Sequence, residues 1–113
     1  MRIITGTLSL EDLKKMAAER FGDLVKGVVD IDRELVALDA ELHADLEALL
    51  LQDGSQQRNL WGINLYPELS DDAWIEFDSM INVRPSLGNR SRGVESEALR
   101  HKIVRIVDKR IVR

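Results

Sequence analysis

The chain has 113 residues, of which 44% are hydrophobic and 32% charged, a size and balance that fit one soluble domain over residues 1–113. They exclude a disordered chain, and no apolar run approaches the roughly 20 residues that a helical membrane span needs. Cysteine is absent, which removes disulfides, thiol nucleophiles and thiolate metal sites, and Met1 to Gly6 lack the apolar region of a secretory signal, so a cytoplasmic location is expected.

The net charge of −4 is unevenly spread. Residues 1–83 carry 7 Lys and Arg against 17 Asp and Glu, whereas residues 84–113 carry 9 against 3, giving −10 and +6. Either the basic C-terminal segment lies against the acidic remainder of its own or a partner chain, or it forms a patch for phosphate-bearing ligands.

A short strand is possible at Arg2 to Thr5. Ser9 is a capping residue, Asp12 stands at the capping-box position, and Leu8 with Leu13 makes a hydrophobic staple, so a helix is predicted from about 10 to 21, ended by Gly22. From Leu24 the period changes to two. Val25, Val29 and Ile31 share one face and Lys26, Asp30 and Asp32 the other, with Val28 breaking the alternation. After a turn near Arg33 and Glu34, Val36, Leu38, Ala40 and Leu42 line up on one face, opposite Ala37, Asp39, Glu41 and His43. Asp45 to Gln52 reads as a short helix with an acidic first turn, stopped by Asp53-Gly54.

A second strand pair follows. Trp61, Ile63 and Leu65 form its apolar face, and Gly62, Asn64 and Tyr66 face the other way. The return strand begins at Trp74, with Ile75, Phe77, Ile81 and Val83 on one side and Trp74, Glu76, Asp78, Asn82 and Arg84 on the other. A hairpin centred near Ser70 sets Asn64 opposite Glu76 and Tyr66 opposite Trp74. Pro85 ends the strand. Ser86 to Gly93 is a polar loop able to wrap an anion, and a helix from about Glu95 to Val112 has an apolar stripe and a basic remainder. The order α-β-β-α-β-β-α implies an α+β fold: a largely antiparallel sheet of about four strands, helices on one face, and the other face open or used in a dimer.

Three groupings can carry chemistry. On an extended strand Glu41 and His43 lie on one side about 7 Å apart, and Asp45 joins them if the strand continues. One imidazole with two carboxylates suits magnesium or manganese better than zinc. The competing explanation has Asp45 capping a helix, Glu41 pairing with a nearby Arg or Lys, and His43 at a strand end. Glu76 and Asp78 can add carboxylates to the same face for acid–base work, while Arg84 or Arg90 can hold phosphate. Tyr66 and Trp74, with Asn64, Asn82, Arg84 and Asn89, form an aromatic and polar cluster for a ligand or an interface. No nucleophile with an adjacent base and no phosphate-binding glycine loop with its lysine is present. His101, between Arg100 and Lys102, fits an exposed basic helix face.

Glu41-Leu42-His43-Ala44-Asp45, Leu60-Trp61-Gly62-Ile63-Asn64-Leu65-Tyr66-Pro67, Trp74-Ile75-Glu76, Ile81-Asn82-Val83-Arg84-Pro85 and Gly88-Asn89-Arg90-Ser91 together resemble a family of short prokaryotic proteins known as a domain of unknown function. The resemblance covers nearly the whole chain. It implies a small free-standing prokaryotic protein and brings no activity with it.

The leading expectation is a noncatalytic binding or interaction module, homodimeric, using the open sheet face around Glu41, Asn64, Tyr66, Trp74, Glu76 and Arg84, with a protein or small ligand as partner. The alternatives are a small metal-dependent enzyme on a phosphorylated or nucleotide substrate, its divalent cation held by Glu41, His43, Asp45 and Glu76, and nucleic-acid binding through the basic helix of Arg100 to Arg113.

Overall fold

The computed structural model describes residues 1–113. Five strands, β1 (Arg2–Ile4), β3 (Val25–Asp30), β4 (Leu35–Leu38), β5 (Leu60–Leu65) and β6 (Ile75–Glu76), form one sheet in the order β1-β4-β3-β5-β6, antiparallel at every pairing. Two further short strands, β2 (Leu8–Ser9) and β7 (Ile111–Val112), pair in parallel away from it. Three helices complete an α+β fold: α1 (Leu10–Arg20), α2 (His43–Gln52) and α3 (Glu97–Arg110).

Local signals set the first helix. Ser9 Oγ accepts a hydrogen bond from the Asp12 amide, and Gly22 ends the helix in the left-handed region at φ 94 while its N–H donates to the Ala17 carbonyl. Leu13, Met16 and Ala17 of α1 and Ile103, Ile106 and Val107 of α3 pack on the sheet face made by Val29, Val36, Leu38, Trp61, Ile63 and Leu65. That face is the main core.

The expectation that helices cover only one face is overturned at α2. Leu46 and Leu50 are fully buried against Val28, Ala37 and Leu60, which point from the opposite side of the sheet. Burying each leucine is worth about 1.5–3 kcal/mol, against roughly 1 kcal/mol for an N-terminal cap that α2 lacks. Packing therefore decides where α2 sits. Val28, the residue that broke the alternation of β3, points into this second core.

Two strands are shorter than their periodicity predicts. β4 stops at Leu38 because Asp39 adopts φ 75, turning the chain out of the sheet, and Arg20 Nε donates to Asp39 Oδ1 at 3.2 Å across that turn. On the return from β5 only Ile75–Glu76 stays in the ladder, with Asn64 opposite Glu76 and the Tyr66 amide donating to the Trp74 carbonyl, as the hairpin register requires. Beyond it the chain enters a 3₁₀ turn at Met80–Asn82, capped by Ser79 Oγ on the Ile81 amide, and a second at Pro85–Leu87. These turns and α2 lie over the sheet face that was expected to be open.

The final helix is two residues shorter at each end than its stripe suggests. Ser96 caps it, and Ile111 and Val112 leave it to pair with Leu8 and Ser9. Much of its basic charge is directed into its own chain: Arg110 donates to the carbonyls of Glu34, Thr5 and Gly6, Lys109 pairs with Glu34 at 2.9 Å, and Arg113 reaches the Leu69 carbonyl.

Candidate functional site

The Glu41, His43 and Asp45 side chains do not converge. The strand that would have aimed them together ends before Glu41, and the helix that starts at His43 rotates successive side chains apart. Glu41 lies exposed, 3.8 Å from Arg20 Nη1. Asp45 stands exposed in the first turn of α2. His43 is buried, and its Nε2 lies 2.8 Å from the Ile63 carbonyl, which fixes Nε2 as the protonated nitrogen of the neutral ring. Burial, foremost, and the Lys26 charge hold the His43 pKa below the usual imidazole value, against the opposing pull of the Ile63 carbonyl, Asn64 and Asp78. No three His, Asp or Glu side chains are grouped as metal ligands would be.

The aromatic and polar cluster also separates. Trp74 is buried in the main core, with the Arg113 guanidinium 4.5 Å above its ring, whereas Tyr66 stays half-buried at the surface. Glu76 Oε1 accepts from Asn64 Nδ2 at 2.9 Å and from the Tyr66 hydroxyl at 3.1 Å. Burial and then this carboxylate raise the Tyr66 pKa, so the phenol stays protonated. Arg84 turns inward: Nη1 donates to the Leu60 carbonyl at 2.6 Å, Nη2 pairs with Glu47 at 3.1 Å, and the guanidinium sits 5.2 Å from the Trp61 ring centre.

Asn82 and Asn89 are structural amides. Asn82 is fully buried, accepts from the Gly62 amide at 2.8 Å and donates to the Gly62 carbonyl at 3.0 Å, taking the place of the next residue of a strand beside β5. Asn89 donates to the carbonyls of Asn82 and Gly93 and accepts from the Glu95 amide, tying the 82–95 segment into a knot. The loop does wrap an anion, but its own: the Arg90 and Ser91 amides both donate to Glu95 Oε2, which lowers the Glu95 pKa. Arg90 therefore stands beside a carboxylate already in place.

Four surface clefts of about 240–390 Å³ remain, and one of about 250 Å³ lies between the start of α2 and the segment after β6. Lys26, His43, Asn64, Asp78, Ser79 and Arg92 supply its polar lining. Arg92 pairs with Asp78 at 2.7 Å, while Lys26 makes no salt bridge and its ammonium lies 5.3 Å from the centre of the Phe21 ring. Asn64 Nδ2 is taken by Glu76 and the Asp78 carbonyl, and Asn64 Oδ1 has no donor. Beyond the rim stands an exposed apolar ridge. Leu42 (56% exposed) and Met80 (66%) border this cleft, and Met80, Val83 (37%) and Leu87 (48%) border a neighbouring one that also contains Glu47 and Arg58.

Lys26, Ser79, Arg92 and the ridge were not singled out by the sequence. Val83 read there as a residue of the apolar strand face and Leu87 as part of the loop after Pro85.

A family model described as a protein of unknown function (DUF5674) matches residues 2–110. The chain belongs to the DUF5674 family. No curated protein and no solved structure matches it. Several of the residues that carried the family resemblance prove to be internal to this DUF5674 member: Trp61, Asn64, Trp74, Asn82 and Asn89 are all buried. No helix is long and apolar enough to cross a membrane.

Proposed function

We propose that this chain is a noncatalytic binding module and that its contact surface is the ridge of Leu42, Met80, Val83 and Leu87, with a second copy of the chain as occupant. The observation that carries the reading is that these four exposed apolar side chains line two clefts that share Met80 and Ile81. Exposed apolar side chains gathered in this way favour a covering partner, and the flexible methionine common to both clefts adapts readily to a protein surface. The ridge replaces the expected site around Asn64, Trp74 and Arg84: Asn64 and Arg84 are held among α2 and the segment after β6, and Trp74 is buried in the main core.

A second copy suits the charges around the ridge. A two-fold contact presents the same patch twice, so it must hold both signs. Exposed Glu41 beside Leu42, and Lys26 and Arg58 in the two flanking clefts, provide them. On the same footing we assign the protein to the prokaryotic cytoplasm, where a chain without cysteine needs no oxidising compartment. The metal-dependent enzyme and the nucleic-acid reading gain less support, since the Glu41, His43 and Asp45 side chains do not converge and Arg100, Lys109, Arg110 and Arg113 are engaged within the chain.

Sedimentation velocity tests the proposal. The wild type should pass from monomer to dimer as concentration rises to about 100 µM, a modest affinity for a patch of this size. Met80→Glu and Leu87→Glu should leave monomers with unchanged thermal unfolding. A wild type that stays monomeric throughout, or a dimer indifferent to both substitutions, overturns it.

A further inference from the structure

A cleft of about 340 Å³ lies between the 3₁₀ turn at Asp71–Ala73 and the first half of α3, and it shares no residue with the two clefts of the ridge. Ile75, Phe77 and Val104 give it an apolar lining. Arg100 and Val104 stand four residues apart and so on one face of α3, and the spacing sets a charge beside that lining. Arg100 Nη1 donates to the carbonyls of Val94 at 2.6 Å and Glu95 at 3.2 Å. These bonds hold the half-buried guanidinium in place and leave its Nε and Nη2 edge unused, with no carboxylate paired to it. A positioned guanidinium edge of two N–H groups is matched by the two oxygens of a carboxylate.

A separate observation comes from Trp74. It is 3% exposed, Arg113 covers its ring, and its indole N–H has no acceptor in the chain, although a buried indole ordinarily finds one. The Trp61 indole nitrogen is sealed from solvent without a partner, but that of Trp74 is not, and this is the one cleft that Trp74 lines. Two carboxylates add the opposite sign. Asp71 and Asp72 line the cleft, stand exposed and make no ion pair with Arg100 or with the neighbouring His101, whose nearest carboxylate is Glu97 at 3.9 Å. Opposite charges that share a cleft without meeting leave a gap that a ligand carrying both signs can bridge.

We infer that this cleft binds a free α-amino acid with an apolar side chain, its carboxylate on Arg100 and the Trp74 indole N–H, its ammonium on Asp71 and Asp72, and its side chain on Ile75, Phe77 and Val104. The charges select for the zwitterion. A simple carboxylic acid meets Arg100 but is repelled by two aspartates, and a simple amine meets the aspartates but is repelled by Arg100. The volume of about 340 Å³ stands at the lower end of ordinary ligand pockets, about 300–1,000 Å³, which suits a ligand of this size. The inference is independent of the ridge reading, because no ridge residue takes part and the site is complete within one chain.

The test is a titration of the full-length protein with L-leucine and L-phenylalanine, followed through the indole N–H resonance of Trp74. Trp61, the only other tryptophan, supplies the internal control, since its indole nitrogen is enclosed and should not respond. The amino acids should give saturable shifts with dissociation constants on the order of 1 mM. The N-acetyl derivative, which lacks the ammonium, and the amide derivative, which lacks the carboxylate, should each bind about tenfold more weakly. Asp71→Asn with Asp72→Asn should abolish the preference for the amino acid over its N-acetyl form, and Arg100→Gln should abolish the preference over its amide. Asp71 stands at φ 55, a conformation that asparagine also adopts, so the double variant should fold even if loss of the Val94 and Glu95 contacts unsettles Arg100→Gln. Binding of one amino acid but not the other fixes the size of side chain the cleft takes and supports the site. The absence of a saturable Trp74 shift with both overturns the proposal, as does equal affinity for an amino acid and its two derivatives, or a preference over the N-acetyl form that survives the two Asn substitutions.

Discussion

Asn82 holds both backbone groups of Gly62, accepting from its amide at 2.8 Å and donating to its carbonyl at 3.0 Å. A side-chain amide carries the same donor and acceptor as a peptide unit, so one fully buried residue extends the edge of β5 after β6 has ended. The Asn82 Nδ2 group also reaches the Arg92 carbonyl at 3.0 Å, which anchors the loop before α3 to the sheet.

Asn82→Ala strands the Gly62 amide and carbonyl in a buried position. With about 1–3 kcal/mol for each unsatisfied group, the expected loss is about 3 kcal/mol in urea unfolding. A loss below about 1 kcal/mol would show that water replaces the amide and that Asn82 is not the strand substitute described above.

Gly62 should tolerate no side chain. A Cβ there would stand 2.5 Å from Ser79 Cβ and 2.6 Å from Ser79 Oγ, and Ser79 is itself buried. Gly62→Ala is expected to cost about 1–3 kcal/mol by overpacking. Adding Ser79→Gly removes the clashing atoms, and the double variant should recover at least half of the loss despite the missing cap on Ile81. If the second substitution brings no recovery, the steric account fails.

Arg84 and Glu47 form the most enclosed ion pair, and burial lowers the Arg84 pKa while Glu47 opposes the shift. Removing either partner alone leaves the other charge poorly solvated, so Arg84→Met and Glu47→Gln should each destabilise by about 3 kcal/mol. The double variant should lose less than the sum of the two, because no orphaned charge remains. Additive losses in a double-mutant cycle would show that the pair is not coupled.

His43 gives the protein a pH dependence in a defined window. Its pKa in the folded state lies below the ordinary value of 6.5, so the unfolded chain takes up the proton first as pH falls. The resulting stability is fully present above pH 6.5 and is lost as the pH descends towards the folded-state value. Each pH unit inside the window changes stability by up to about 1.4 kcal/mol. Chemical denaturation at pH 7.5 and 5.5 should show this fall in the wild type, and His43→Gln should flatten it. Equal slopes in the two proteins would place the titration elsewhere.

Several features of the fold could be read before the structure. The Ser9 cap and Gly22 stop bracket α1, the alternation of Trp61, Ile63 and Leu65 gives the core face of β5, and the 64–76 register follows from the position of the turn. The site was less legible, for a physical reason. Asn64 and Asn82 stand on the polar side of an alternating pattern, which normally marks a solvated face, but their amides satisfy backbone groups and so are buried. His43 was misplaced because Ala37, Asp39, Glu41 and His43 continue a two-residue period across Asp39, where the backbone turns. Val28 held the missing information. An apolar residue on the polar side of a strand signals that this side is covered too, here by Leu46 and Leu50.

The parallel pairing of Leu8 with Ile111 and Ser9 with Val112 sets a schedule for folding during synthesis. Parallel neighbours so far apart along the chain can meet only after nearly every other contact has become available, and closing so long a loop is slow compared with forming a hairpin. A nascent chain can assemble the five-stranded sheet around β3 beforehand, yet α1 has no strand to dock its leading edge until Ile111 has left the ribosome.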